Sequence, residues 1–243
     1  MRFLCLHGRG TNSNILESQL AALRSRLSAQ HSFDFIDAEC PCHAAPGVAG
    51  IYPAPYLSWY ERGSPEEVQS AHDYLISVLE DDGPYDGVIA FSEGAALAAS
   101  LLLSDQSKFS EARFKIAILF NSVVPLVPVA ELGQSLEEVV AEHVDSYHGL
   151  LSDGQQSTAE QAACLDQALA FSPEGLVKIS IPTIHIVGAK DSFKSSSEVV
   201  VNLCEPDLAQ VLRHAGGHEL PQAASLLDQC AEMIETAVVL SGI

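Results

Sequence analysis

Gly87-Val88-Ile89-Ala90-Phe91-Ser92-Glu93-Gly94-Ala95-Ala96-Leu97-Ala98-Ala99 is the stretch on which the fold reading turns. Five residues, mostly apolar and bounded by Asp82-Gly83-Pro84 upstream, read as a buried strand over 87–91. A run of small helix formers follows, predicting a helix over 93–103. Ser92 stands at the junction. A serine on a sharp strand-to-helix turn is held in a strained backbone with its hydroxyl exposed. The residues two before and two after it must be small, because strand and helix pass close there. Gly94 meets that demand outright and Ala90 approximately. The competing reading is an ordinary buried serine capping a helix.

Outward from this point, strand and helix alternate. Strands are predicted over 2–6, 33–36, 116–120, 184–187 and 210–212. Helices are predicted over 15–27, capped by Ser13 or Asn14, and over 65–80, 196–203 and 221–238. Such alternation means a mostly parallel sheet of about six strands with helices on both faces. Residues 38–64 carry four prolines and read as a long irregular loop. Residues 122–175 lack strand signals and carry acidic amphipathic stretches, predicting a helical lid inserted into a single domain over 1–243.

Bulk composition narrows the function. Hydrophobic residues make up 47% and charged residues 18%, so a packed core is expected rather than disorder. A net charge of −20 argues against nucleic acid and anionic membrane surfaces as partners. Six cysteines are scattered without a CxxC pair, which predicts free thiols in a reducing compartment. The opening MRFLCLHGRG is too short in apolar residues for a signal peptide, and no run approaches a membrane span. A cytoplasmic enzyme is the expectation. No metal is expected, since His143 and His148 fall on different helical faces, and no cofactor, since His7-Gly8-Arg9-Gly10 lacks the dinucleotide fingerprint.

Two further strand ends carry chemistry. Asp191 follows the strand over 184–187 in Gly188-Ala189-Lys190-Asp191, and His218 follows the strand over 210–212 in Gly216-Gly217-His218. Strand ends of a parallel sheet are where catalytic groups collect. A neutral imidazole takes a serine proton and returns it to the leaving group, and a carboxylate on its other nitrogen fixes the tautomer. The rivals are His214, at a strand end without flanking glycines, and a solvated turn reading of Asp191. The order Ser92, Asp191, His218 matches the chain order of α/β-hydrolases, and jointly the three predict a catalytic triad. Backbone N–H groups of Arg9 and Glu93 are the candidates for an oxyanion hole. His7 is assigned to stabilising its turn.

These motifs together resemble the fungal serine hydrolases typified by the yeast family of serine hydrolases. The likeness runs through Leu6-His7-Gly8-x-Gly10, the helix with Glu17, Gln19 and Leu23, Phe33-Asp34-Phe35-Ile36-Asp37-Ala38, Trp59-Tyr60, Phe91-Ser92-x-Gly94-Ala95, Gly188-x-x-Asp191 and Gly217-His218-x-x-Pro221. Ala90 departs from the family's usual glycine. The resemblance implies the α/β-hydrolase fold and the triad Ser92, Asp191, His218. It also implies an esterase or thioesterase, some relatives acting on polyketide-type acyl chains held on the carrier domain of a synthase in secondary metabolism.

The aromatic loop with Tyr52, Tyr56, Trp59 and Tyr60, together with the insertion over 122–175, is expected to shape an apolar acyl pocket, with Tyr56, Trp59 and Tyr60 as candidate substrate contacts, the alternative being plain packing. Docking an acidic carrier domain on so acidic a chain requires a local basic patch, for which Arg9, Arg24, Arg26 and Arg62 are the candidates. Two alternatives stay open: a general carboxylesterase for small esters, and a catalytically silent hydrolase fold used for binding.

Overall fold

The computed structural model describes residues 1–108, 113–126 and 178–241. Six strands form one all-parallel sheet: β1 (Arg2–Leu6), β2 (Ser32–Ile36), β5 (Gly87–Phe91), β6 (Ile116–Phe120), β7 (Thr183–Gly188) and β8 (Ala209–His214). Their spatial order is β2-β1-β5-β6-β7-β8. Two short strands within the proline-rich loop, β3 (Cys40–Pro41) and β4 (Leu57–Ser58), pair antiparallel beside it.

The helices are α1 (Ser13–Arg24), α2 (Pro65–Asp81), α3 (Glu93–Lys108), α4 (Lys194–Asn202) and α5 (Ala224–Leu240). The central strands β5 and β6 are apolar at every position because both faces are covered. Leu4, Leu6, Val88, Ala90, Ala117 and Leu119 face the α2–α3 layer. Their neighbours Phe3, Cys5, Ile89, Ile118 and Ile186 face α1 and α5. The period of two along each strand thus divides one apolar run between two cores.

Helix starts follow local capping chemistry. The Asn12 side chain, not Ser13 or Asn14, accepts the N–H of Ile15. A cap of this kind contributes about 1 kcal/mol. α1 also stops at Arg24, earlier than the apolar stripe to Leu27 suggested. Ser64 and Glu67 form a reciprocal capping box ahead of Pro65. The predicted lid over 122–175 lies outside the described residues from 127 onward. Among the described residues no helix is long and apolar enough to cross a membrane.

The topology locates the site. From β1 the chain steps outward to β2, and from β5 it steps through β6 and β7 to β8 on the other side. The crevice at the carboxyl ends of β1 and β5 is therefore a switch point, where open α/β sheets bind ligands.

Candidate active site

Ser92 occupies the turn between β5 and α3 with φ of 55°, in the left-handed region that L-residues rarely adopt. Two contacts hold it there. Its N–H donates to the carbonyl of Phe120 at 2.9 Å, and its carbonyl accepts the N–H of Ala96 in α3. Helix and strand cross closely at Gly94, where a β-carbon would lie 2.6 Å from the carbonyl oxygens of both Leu6 and His7. Ala90, paired with Leu6 in the sheet, is buried and its methyl is accommodated.

Asp191 and His218 come from the turns after β7 and β8, and those turns continue the ladder between the two strands. Ala189 N–H donates to the His214 carbonyl at 2.7 Å, and Lys190 N–H to the Gly216 carbonyl at 2.9 Å. His218 Nδ1 donates to Asp191 Oδ2 at 2.8 Å, and Ser92 Oγ donates to His218 Nε2 at 2.8 Å. The other Asp191 oxygen accepts the N–H of Phe193. The imidazole also packs against two rings, Phe91 at 5.2 Å and Phe193 at 5.0 Å between centroids. With the carboxylate on Nδ1 and the hydroxyl on Nε2, the arrangement fits the tautomer in which Nδ1 carries the proton and Nε2 accepts.

Asn121, which sequence reasoning missed, ties these turns together. It too adopts a left-handed backbone, φ 44°, a conformation asparagine tolerates better than most residues. Its Oδ1 accepts the N–H of Gly188 at 2.8 Å and its Nδ2 donates to the Glu219 carbonyl at 2.9 Å. One amide thus holds the end of β7 and the residue after His218.

The remaining sequence candidates divide by position. His7 is fully buried; its Nδ1 donates to the Gly8 carbonyl and its Nε2 accepts the Ala38 N–H, a structural role. Burial lowers its pKa. His214 is turned to its own loop, where Nδ1 accepts the Gly216 N–H. Arg9 lies in the turn after β1 and Glu93 opens α3, where the positive end of the helix dipole favours developing negative charge.

The aromatic candidates lie elsewhere. Trp59 and Tyr60 pack into the core against α2, where Trp59 Nε1 donates to the His7 carbonyl. Tyr60 is 1% exposed. Tyr56 donates to the carbonyl of Tyr52. The cavity walls beside Ser92 come instead from Val48, Ile51, Tyr52, Phe193, Leu220 and Leu226. That cavity is about 990 Å³, and a second of about 740 Å³, reaching Pro41, Cys42, His43 and Val123, shares Ser92, His218 and Phe193 with it. Of the basic-patch candidates, Arg9, Arg24 and Arg26 each pair with a carboxylate, on Glu93, Glu17 and Asp228.

Residues 1–230 match the family described as "Serine hydrolase (FSH1)". The chain belongs to this family. As a serine hydrolase it resembles the esterase FPY3 of Fusarium mangiferae, 32% identical over 98% of this chain and 97% of the relative. It also resembles the esterase alnB of Emericella nidulans, 27% identical over 92% and 91% of the two chains. In fold the hydrolase is similar to acyl-protein thioesterase 2 of Zea mays, with TM-score 0.58, 12% identity and coverage of 98% and 93%. The Bacillus cereus carboxylesterase gives TM-score 0.57 at 17% identity over 97% and 87%. The enzyme is a hydrolase of the α/β-hydrolase fold.

Proposed function

We propose that the enzyme cleaves an ester or thioester of a polyketide-type acyl chain through an acyl intermediate on Ser92. The observation that carries this reading is the hydrogen-bonded line Ser92–His218–Asp191, with 2.8 Å at each step, opening onto an apolar cavity. Ser92 Oγ attacks the acyl carbonyl carbon while its proton passes to His218 Nε2. Asp191 stabilises the imidazolium that forms. The carbonyl oxygen, now an oxyanion, turns toward the N–H groups of Arg9 and Glu93. As the intermediate collapses, the bond to the leaving oxygen or sulfur breaks and His218 returns its proton there. A water molecule, deprotonated by His218, then attacks the acyl-Ser92 carbonyl; the bond to Oγ breaks, His218 returns the proton to Oγ, and the acid is freed.

The larger cavity, with Val48, Ile51, Leu220 and Leu226 in its walls, suits the acyl chain. The pairing of Arg9, Arg24 and Arg26 with carboxylates weakens the case for a carrier domain held by long-range charge. A free acyl ester or the thioester of a small thiol is therefore the preferred substrate form. A cytoplasmic setting is supported by Cys5, Cys40, Cys42, Cys204 and Cys230, all free thiols. The stretch 122–175 is retained as the proposed lid of a single domain.

The test compares wild type with Ser92→Ala on a short p-nitrophenyl ester, an acyl thioester of a small thiol and an acyl carrier protein. The expected result is turnover of the acyl thioester above the other two and a loss of roughly 10³-fold or more in the variant. Turnover confined to the short ester would establish the general carboxylesterase instead. Undiminished activity in Ser92→Ala would remove Ser92 as nucleophile.

A further inference from the structure

The two residues whose backbones are assigned to the oxyanion also meet through their side chains. The Glu93 side chain, 1% exposed, stands at the crossing of α3 with the turn after β1 and the segment after β4. Its Oε1 lies 3.2 Å from Arg9 Nη1, and its Oε2 accepts the Trp59 N–H at 3.0 Å. The Ser58 hydroxyl lies 2.8 Å from the same Oε2. Arg9 Nη1 donates as well to Ser58 Oγ at 2.6 Å and to the Tyr60 carbonyl at 2.9 Å, and Nη2 donates to the Glu61 carbonyl.

Burying the Glu93 carboxylate costs free energy that its pairing with the partly exposed Arg9, 28% exposed, only offsets, so an apolar residue of similar volume would serve a core at least as well. What charge-assisted bonds from a planar guanidinium supply is direction. Here they run between the two backbone segments that carry the Arg9 and Glu93 N–H groups. The same crossing is also tied by the close approach of Gly94 to Leu6 and His7, by Trp59 Nε1 donating to the His7 carbonyl and by the Gly10 and Leu57 N–H groups donating to the Leu57 and Thr11 carbonyls.

We propose that the Arg9–Glu93 ion pair, buttressed by Ser58, is a positioning device that sets the spacing of the two oxyanion N–H groups. The inference rests on the acyl-Ser92 reading above. The carboxylate at the residue after the nucleophile then acts by fixing two backbone segments, its own and that of Arg9, and not by bonding the reacting atoms. Loosening the pair through Glu93 leaves the hydroxyl, the imidazole and the walls of the larger cavity in place and misaligns the donors that act on the oxyanion; Arg9 itself lines that cavity, so Glu93→Gln is the decisive variant.

The experiment uses the full chain with Glu93→Gln, Arg9→Lys and the double variant Glu93→Gln/Arg9→Met, assayed on a p-nitrophenyl ester alongside thermal melts. Inhibition is measured with an alkyl trifluoromethyl ketone, whose carbonyl carbon bonds Ser92 Oγ to give a tetrahedral oxyanion. It is compared with the product carboxylic acid, which forms no such species. Glu93→Gln is expected to lower kcat about tenfold or more with KM within about twofold, since removing an oxyanion donor outright costs more. Trifluoromethyl ketone affinity falls by a similar factor, and product-acid affinity holds. Arg9→Lys keeps the charge but loses the fork, and falls between the two. The double variant regains melting temperature without regaining kcat.

A double variant that regains both, or a folded Glu93→Gln with unchanged kcat, overturns the proposal. So does an equal loss of affinity for the ketone and the acid. A wild-type protein that neither hydrolyses esters nor binds the ketone overturns the acyl-Ser92 reading itself, a result separable from these.

Discussion

The side-chain oxygen of Asn121 accepts the backbone N–H of Gly188 at 2.8 Å, while its amide nitrogen donates to the carbonyl of Glu219. Asn121 directly follows β6, which lies between the strand that delivers Ser92 and the strand that delivers Asp191. Asn121→Asp keeps the acceptor for Gly188 and replaces the donor to Glu219 with a repelling oxygen. The expected outcome is a loss of about 1–3 kcal/mol of stability, the usual cost of a buried polar group left unpaired, together with a lower kcat. Chemical denaturation and steady-state kinetics check it. A variant with unchanged kcat would show that the His218 turn does not need this tie.

Asp191 uses both oxygens, one on His218 Nδ1 and one on the Phe193 N–H. Asp191→Asn preserves the shape but presents an N–H where an acceptor is needed, or forces the imidazole into the other tautomer. A fall of about 10⁴-fold in kcat is expected, with little change in fold. A fall of only a few-fold would leave Asp191 as a turn residue.

Gly94 has no room for a side chain, because the atoms around its hydrogen are backbone carbonyls of β1 and the following turn. Gly94→Ala forces α3 away from β1 and costs about 1–3 kcal/mol, visible as a lower melting temperature. Activity falls with it, since the Ser92 turn is built on that approach. A variant of wild-type stability would mean that the crossing is looser than 2.6 Å implies.

Acid sensitivity follows from His185, buried in β7 beside Thr183 Oγ1 and Cys204 Sγ. Burial pushes its pKa down from 6.5 to about 4. The unfolded chain therefore binds a proton that the folded chain refuses between those values. Stability from this residue is full above about pH 6.5 and is lost as pH falls toward 4, on the order of 3 kcal/mol in all. His7, lowered by burial, adds in the same direction. Melting temperatures of His185→Asn across that window are expected to change less steeply than those of wild type. Parallel profiles would assign the acid sensitivity to other groups.

Much of this was legible in the sequence for a plain reason. Central strands of a parallel sheet are continuous apolar runs, so β1, β5, β6 and β7 stand out, and the polar residues just after them collect at one edge. Ser92, Asp191 and His218 were visible on that basis. Asn121 was not, since an asparagine after a strand reads as ordinary turn chemistry until β6 is known to lie between β5 and β7. Of the aromatic loop residues, Trp59 and Tyr60 follow the packing alternative rather than the substrate one. Their bulk and the β3–β4 pairing draw them into the core instead, leaving Val48, Ile51 and Tyr52 of the same loop to face the cavity. The role of Asn12 as cap, one residue before the two expected, was hidden by three adjacent residues of similar capping ability.

Ser92 and its left-handed backbone allow one more measurement. Ser92→Gly and Ser92→Ala both lack the hydroxyl, but only glycine is at ease at φ of 55°. Against the usual ranking, in which glycine is the less stable of the two, Ser92→Gly is expected to be the more stable by about 1 kcal/mol. Melting curves of the two proteins decide it.

That left-handed turn has a bearing on laboratory evolution. A library selected only for heat resistance or yield would drift toward glycine at position 92 and shed the hydroxyl without any sign of damage. Turnover must therefore be screened alongside stability in any attempt to harden this protein, because on the acyl-Ser92 reading the substitution that relaxes this turn also removes the nucleophile.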